Sequence, residues 1–219
     1  MSLDATFRPF VIIWFLTVVA IALPFRIRSQ STRETLDRTQ EGLVTMITLR
    51  LAGLFLWLSI LAFIRNPALM AWSSLPLSAP VRWFGVGLGG VTALLLLWTL
   101  LSLGRNLTDT VVTRQAHTLI TRGPYRWVRH PFYDCMVLFM TAMTLMMANW
   151  FVFAAGIVTF AILASRSRTE EQKLLDRFGE PYRAYRAATG RFIPGLGRVA
   201  KATIRAVSGA TSNPSTTAV

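Results

Sequence analysis

The chain of 219 residues has a single cysteine, Cys135, and only two histidines. One cysteine excludes an intramolecular disulfide, and no cluster of cysteine and histidine has the spacing of a metal-thiolate site. Acidic residues are also few, 10 against 23 basic ones, so the formal net charge is +13. Such an excess suggests nucleic-acid binding if the chain is soluble, and the positions of the basic residues therefore decide what the charge means.

Apolar residues make up 53% of the chain, a larger share than in an ordinary soluble protein, and they are concentrated in blocks. About 20 apolar residues cross a hydrocarbon core of about 30 Å. The blocks predict an all-α integral membrane protein with about five transmembrane helices and short cytoplasmic helices at the C-terminus. The predicted spans are 10–23, 46–64, 81–103, 133–148 and 150–164, and the last two form a hairpin that turns at Asn149.

The basic residues are segregated by loop. If the N-terminus is outside, the stretches 25–42 and 104–132 and the part after Ala164 lie on one side and carry 19 of the 23 basic residues. The positive-inside rule places that side in the cytoplasm, so the charge reflects topology and contact with membrane lipid rather than nucleic-acid binding. Cleavage of a signal peptide after Ala20-Ile21-Ala22 would invert every later loop, and we reject it for that reason.

Three regions follow from this pattern. Residues 1–103 form a transmembrane scaffold with three spans, 104–197 carry the polar motifs and two further spans, and 198–219 are predicted to be a disordered tail. The stretch 104–130 is too long and polar for a simple turn, and such connections are usually functional or disordered. Beyond the last span, 169–178 has a charged helical pattern that Gly179 can close, and Pro181 can open a second short helix.

The first polar cluster lies at 123–133, against the start of a helix. Pro131 suits the first helical position and disfavours α geometry at the residue before it, so the helix is predicted to begin at Pro131 with His130 as its cap. Unpaired N–H groups beside Arg129 and His130 would make a carboxylate or phosphate site. A purely structural interpretation is equally open, with the arginines at headgroup level and Asp134 complementing the helix dipole.

The second polar cluster, 166–171, lies at the predicted cytoplasmic end of the last span. Arg166 and Glu170 are four residues apart and Arg168 and Glu171 three apart, so each pair can meet on a helix surface. As exposed ion pairs they would contribute only a few tenths of a kcal/mol. As chemistry they offer a carboxylate for an ammonium or sulfonium and a guanidinium for a carboxylate. Their position on the same membrane side as the first cluster favours a functional site.

An ordered string of motifs runs through the second half of the chain. Its parts are Leu103-Gly104-Arg105-Asn106, His117-Thr118-Leu119, Gly123-Pro124-Tyr125, Arg129-His130-Pro131-Phe132-Tyr133, Arg166-Ser167-Arg168-Thr169-Glu170-Glu171, Phe178-Gly179-Glu180-Pro181-Tyr182 and Tyr185. Over about residues 98–197 the string resembles the isoprenylcysteine carboxyl methyltransferase family, which is similar to the phospholipid N-methyltransferases. The resemblance implies a membrane methyltransferase that uses S-adenosylmethionine and acts on a lipophilic small substrate with a carboxylate, amine or thiol head group.

The resemblance also implies where the cofactor lies and which residues serve it. S-adenosylmethionine would occupy a cytosol-facing pocket between the last two spans and the C-terminal helices. The residues that would line its adenosine are His117, Leu119, Gly123, Pro124 and Tyr125. Those that would approach its amino-acid end are His130, Tyr133, Glu170 and Glu171. The reacting end would be ordered by the predicted catalytic residues Arg129, Arg166 and Glu170.

One departure from the family pattern and two alternative functions remain open. Cys135 stands where the family usually has a small residue, often glycine, and its sulfur would narrow the pocket if that helix face approaches the cofactor. The membrane sterol reductases, which bind NADPH, resemble this family in the C-terminal helices. A non-enzymatic membrane protein whose basic tail binds lipid headgroups would explain the charge and the spans. The non-enzymatic alternative leaves the motif string unexplained. Against the sterol reductases, the spellings Gly123-Pro124-Tyr125 and Thr169-Glu170-Glu171 favour the methyltransferase. The sequence leaves the oligomeric state open.

Overall fold

The computed structural model describes residues 3–30, 43–103 and 118–195, and these ranges contain helices and no strand. The α-helices are α1 (Leu3–Gln30), α2 (Leu43–Arg65), α3 (Ala79–Leu103), α4 (Pro131–Met147), α5 (Trp150–Phe178) and α6 (Glu180–Ala188), with short 3₁₀ helices at Pro67–Ser73 and Gly123–Arg126. By length and composition, α1, α2, α3 and α5 can each cross a membrane. The shorter apolar α4, with 17 residues, rises about 25 Å. The predicted all-α membrane architecture is confirmed.

Two helices differ from the predicted spans, whereas α2, α3 and α4 begin and end within three residues of them. The first helix continues through Pro24 to Gln30, so the beginning of the predicted 25–42 loop is helical. The last span and the charged helix predicted after it form one continuous helix of 29 residues. No glycine or proline interrupts 165–178, and the Glu, Gln, Lys and Leu there favour helix, so nothing ends the helix at the membrane surface.

Glycines of α3 allow its neighbours to pack closely. A Cβ atom placed on Gly85 would lie 2.7 Å from the Cβ atom of Leu145 and 3.1 Å from the backbone nitrogen of Met146, both on α4. At Gly89 it would lie 2.8 Å from the Trp14 ring of α1. Small residues let helix backbones approach each other where hydrocarbon gives helices no hydrophobic reason to associate. The third helix therefore lies between α1 and α4.

The side chains in the core of the bundle and those on its outer surface are both largely apolar. The core between α1, α2, α4 and α5 contains Val11, Phe63, Met143 and Val152, all buried. Large apolar side chains are also exposed along the long helices, among them Leu16, Phe84, Leu94 and Phe153. An apolar outer surface of this extent is typical of helices that face lipid.

Buried polar side chains tie together the end of the bundle where α3 begins. Arg82 donates two hydrogen bonds to the Met146 carbonyl, at 3.0 and 2.6 Å, and forms an ion pair with Asp4 at 2.8 Å. The predicted turn at Asn149 is confirmed, since its side chain caps α5 and also donates to Ser73. These contacts join α1, α3, α4 and α5 at one end. The polar motifs of the sequence lie at the opposite end.

Candidate active site

A cavity of about 110 Å³ lies at the end of the bundle where α3 ends and α4 begins. Its walls come from the last residue of α3, the irregular stretch 118–120, the 3₁₀ turn, the extension of α5, the first residues before α4, and α6. The lining residues are Leu103, Thr118, Leu119, Ile120, Tyr125, Arg129, His130, Leu174, Phe178, Tyr182 and Tyr185. Most of the lining is aromatic or aliphatic, as in most small-molecule sites, and the charged groups are at one side.

The 3₁₀ turn is fixed between α3 and α6. Gly123 has a φ of +60°, which favours glycine, and a Cβ atom there would collide with the Ser102 side chain. The turn therefore lies directly on the last turn of α3. On its other side the Tyr185 hydroxyl donates to the Tyr125 carbonyl at 2.7 Å. These contacts hold the Tyr125 ring in the wall of the cavity.

The helix α4 begins at Pro131 with His130 at the cap position, as predicted. The imidazole of His130 stacks on the Tyr133 ring, with centroids 5.2 Å apart and planes 10° from parallel. Its Nδ1 atom lies 3.5 Å from a Glu170 oxygen and its Nε2 atom 3.2 Å from a Glu171 oxygen. The imidazole is therefore held between two carboxylates at the edge of the cavity.

Glu170, near the end of α5, lies against the first turn of α4. The Tyr133 hydroxyl donates to its Oε2 atom at 2.9 Å, and the Arg166 Nε atom lies 3.7 Å from its Oε1 atom. The predicted pairing of Arg166 with Glu170 is therefore confirmed. The Glu170 side chain is partly exposed, so it keeps access to a bound molecule.

Glu171 is buried, with 2% of its surface exposed. Its Oε1 atom accepts from Arg129 Nε and Arg191 Nε, both at 3.0 Å, and its Oε2 atom accepts from Arg191 Nη2 at 3.0 Å. The predicted pair with Arg168 is wrong, because Glu171 faces inward and Arg168 lies on the exposed face of α5. Burial raises the pKa of Glu171, but the hydrogen bonds from His130, Arg191 and Arg129 outweigh it and hold that pKa well below its usual range.

The stretch after α6 returns to the start of α4 and pairs with it. The backbone nitrogens of Arg129 and His130 donate to the carbonyls of Gly190 and Arg191, at 2.9 and 3.1 Å. The Arg129 guanidinium also donates to the Thr189 carbonyl. Phe192 then lies against the His130 ring, with centroids 5.8 Å apart. The chain from 189 to 192 thus forms one side of the site.

The predicted site residues come together at this end of the bundle. Those in the cavity wall are Leu119, Tyr125, Arg129 and His130. Those joined to the wall through His130, or through one another, are Tyr133, Glu170, Glu171 and Arg166. Gly123 and Pro124 shape the turn that carries Tyr125. His117 lies outside the described residues. The individual roles of all these residues remain predictions.

Cys135 lies away from the cavity. Its sulfur is 3.8 Å from the Thr99 hydroxyl of α3, and it packs with Leu96 and Leu100. The side chain faces the neighbouring helix, and it is absent from the lining of the cavity. The departure from the family pattern therefore leaves this cavity unchanged.

Sequence reasoning missed several residues of the site. Tyr182 and Tyr185 line the cavity, and their three-residue spacing on α6 indicated a buried face without showing what it faces. The Tyr182 side chain is 1% exposed, and its hydroxyl has no hydrogen-bond partner within the described ranges. Arg191 and Phe192 follow the last helix, where no periodicity indicated their role.

Residues 86–176 match the Isoprenylcysteine carboxyl methyltransferase (ICMT) family. Protein-S-isoprenylcysteine O-methyltransferase of Dictyostelium discoideum is 28% identical over 84 residues, which are 38% of this chain and 35% of that protein. Methanethiol S-methyltransferase of Mycobacterium tuberculosis is 36% identical over 80 residues, 36% of this chain and 30% of that protein. The matched stretch thus spans about a third of each of these relatives.

A solved structure has a similar fold over most of the chain. The eukaryotic intramembrane Ras methyltransferase ICMT (isoprenylcysteine carboxyl methyltransferase), determined without a monobody, matches with a TM-score of 0.59 and 16% sequence identity. The match covers 90% of this chain and 69% of that one. The family model covers most of the motif string except its C-terminal end, and the fold extends to the first two helices, which the motifs did not reach. Residues 86–176 thus match the isoprenylcysteine carboxyl methyltransferase family, and the chain shares the fold of that solved structure.

Proposed function

We propose that this chain transfers a methyl group from S-adenosylmethionine to a lipophilic acceptor at the membrane surface. The observation that carries the proposal is the position of Glu170, a partly accessible carboxylate held by Tyr133 beside an apolar, tyrosine-lined cavity. A ligand that has both a positive charge and an aromatic group can place the charge at the Glu170 carboxylate and the aromatic group in the cavity. The relatives named above are methyltransferases and none of them is a reductase, which supports this activity over the sterol-reductase alternative.

The residues present fit S-adenosylmethionine. Its adenosine needs a flat apolar slot with a few hydrogen-bonding groups, and its sulfonium and ammonium need nearby negative charge. The cavity supplies tyrosine rings, together with the buried hydroxyl of Tyr182, which has no partner among the described residues. Burial raises the pKa of Tyr182, so the hydroxyl remains a donor at physiological pH. Leu119 and Tyr125 would contact the adenosine, and His130 and Glu170 would face the amino-acid end with its positive charge.

The cofactor, when bound, supplies a methyl group on a positively charged sulfur. Methyl transfer forms a bond from the acceptor's lone pair to that carbon while the carbon–sulfur bond breaks and its electron pair stays on sulfur. The chain must therefore hold the three atoms in line and exclude water. A thiol or amine acceptor also loses a proton, and Glu170 or His130 is placed to accept it. A carboxylate acceptor needs no base.

The arginines at the site bear on the choice of acceptor. The Arg129 guanidinium is already bonded to Glu171 and to two backbone carbonyls. A carboxylate acceptor would have to compete with these bonds, whereas a thiol or amine would not. The geometry therefore supports a thiol or amine head group more than a carboxylate. Of the two relatives, one is named an O-methyltransferase and the other an S-methyltransferase.

We also propose that the N-terminus lies outside and that the site faces the cytoplasm. The cavity lies at the bundle end that carries most of the basic residues of the described ranges, and Arg82 and Asn149 mark the other end. The positive-inside rule then places the cavity in the cytoplasm. The cofactor would enter from the cytosol and the acceptor laterally from the bilayer.

Calorimetry of the detergent-solubilised protein with S-adenosylhomocysteine, and then with NADPH, tests the activity class. We expect S-adenosylhomocysteine to bind and NADPH to give no heat beyond dilution. Binding of NADPH alone would favour a reductase, and binding of neither ligand would favour the non-enzymatic alternative.

Two matched variants test the role of Glu170. Glu170→Gln removes the proposed charge beside the cofactor, whereas Glu180→Gln removes a carboxylate whose side chain is 77% exposed and pairs with Arg183. We expect at least a tenfold loss of S-adenosylhomocysteine affinity or methylation in Glu170→Gln, about the strength of one charge-assisted hydrogen bond. Glu180→Gln should behave as wild type. Near-wild-type binding and methylation in both variants would remove Glu170 from the site.

A further inference from the structure

Phe192 connects the polar site to the apolar part of the bundle. Its ring centroid lies 5.3 Å from that of Phe160, 5.8 Å from that of His130 and 6.5 Å from that of Tyr133. Phe160 lies on α5 six residues before Arg166, the first basic residue after the predicted span, so it is about 9 Å along the helix axis inside the apolar part. A single aromatic side chain therefore reaches from the rings of His130 and Tyr133, which contact Glu170 and Glu171, to the hydrocarbon level.

The backbone that carries Phe192 is held in place. His130 N donates to the carbonyl of Arg191 at 3.1 Å, and the Arg191 guanidinium binds both oxygens of Glu171 at 3.0 Å. Glu171 in turn belongs to α5, the helix that also carries Phe160. Because these bonds tie Arg191 to both α4 and α5, the next residue has a defined position, and its ring is a wall rather than part of a loose tail.

We infer that Phe192 determines which acceptor tails the site accepts. This inference rests on the proposed function. A head group that reaches Glu170 and Tyr133 from the bilayer must bring its apolar tail past the contact between Phe192 and Phe160. The ring of Phe192 limits the length and bulk of that tail, and Glu171 is the positioning residue that keeps the ring in place.

The inference is tested with acceptors of one head group and increasing alkyl length. Alkanethiols and S-alkyl derivatives of N-acetylcysteine serve as probes, each kept at a constant mole fraction in the micelle so that partitioning does not change along the series. In wild type the apparent KM should fall about fourfold per added methylene until the tail meets the ring, and then level off. In Phe192→Ala the fall should continue to longer tails, and in Phe192→Trp it should stop earlier. Ile193→Ala is the matched control, because Ile193 is the next residue and is 80% exposed.

The affinity of each variant for S-adenosylhomocysteine, measured by calorimetry, separates the possible failures. Unchanged affinity together with the shifted length profiles supports the inference. The same length profile in wild type, Phe192→Ala and Phe192→Trp overturns it and leaves the proposed function standing. Loss of S-adenosylhomocysteine binding in both Phe192 variants also overturns it, since Phe192 would then support the cofactor pocket. A wild-type protein that neither binds S-adenosylhomocysteine nor methylates any acceptor overturns the proposed function itself.

Discussion

Removing the charge of Glu171 should release the C-terminal side of the site without unfolding the bundle. Glu171→Gln keeps the size of the side chain but leaves the Arg129 guanidinium, which is only 10% exposed, without its anion. Breaking a buried ion pair from one side costs about 3–5 kcal/mol. The Arg191 side chain is 30% exposed, so solvent weakens the contribution of its ion pair with Glu171 to the same free energy. We therefore expect a loss of about 3 kcal/mol in the free energy that holds 189–192 against α4, or about a hundredfold larger open population.

Hydrogen exchange measures this opening directly. The backbone N–H groups of Arg129, His130 and Gly190 form the hydrogen bonds between the two stretches, at 2.9, 3.1 and 3.3 Å. Their exchange should accelerate about a hundredfold in Glu171→Gln if opening is fast relative to exchange, while amides in the middle of α3 should stay protected. Arg191→Gln should accelerate the same three amides to a smaller extent. Glu180→Gln, on the solvent side, should leave them unchanged.

The pH dependence follows from the direction of the pKa shift. The pKa of Glu171 is below its usual range in the folded protein, so its contribution is fully present above the unfolded value of about 4.3 and is lost as the pH falls through the folded value. Protection of the three amides, corrected for intrinsic exchange, should therefore be constant from neutral pH to about pH 5.

Unchanged exchange in Glu171→Gln together with weaker S-adenosylhomocysteine binding would refute the proposed role of Glu171 in holding 189–192. Glu171 would then be a cofactor contact, as the resemblance implies.

Three further predictions concern packing and topology. The Gly85→Ala variant should be less stable to unfolding in detergent than the Gly87→Ala variant, by about 1–3 kcal/mol. Both substitutions gain helix propensity, but a Cβ atom at Gly85 collides with α4 whereas one at Gly87 meets open space. Equal stabilities of the two variants would contradict the close packing of α3 and α4. Gly123→Ala should lower S-adenosylhomocysteine affinity more than Gly179→Ala, since both have positive φ but only Gly123 lies against α3; equal losses would mean that backbone strain alone matters. A cysteine added at the C-terminus should resist a membrane-impermeant thiol reagent in intact cells and one at the N-terminus should react, and the reverse would overturn the proposed orientation.

The class of the protein and the ends of several helices were predictable from the amino-acid sequence. Runs of apolar residues predicted helices because the thickness of the bilayer and the rise of a helix are fixed lengths. Pro131 marked the start of α4, and Gly179 marked the end of α5, because a proline ring and a positive φ act on their own backbone. The motif string predicted the family because its spelling and order are properties of the chain alone.

Which side chains meet at the site depends on how the helices pack against each other. Local spacing predicted that Glu171 pairs with Arg168, but the actual partners, Arg129 and Arg191, are 42 and 20 residues away. Spacing on one helix states which pairs can meet, and the crossing of α4 and α5 determines which face turns inward. The same holds for Phe192, which no pattern connected with Phe160 on α5. Such contacts depend on where whole helices lie against each other, and that arrangement is fixed by long-range packing rather than by any short stretch of sequence.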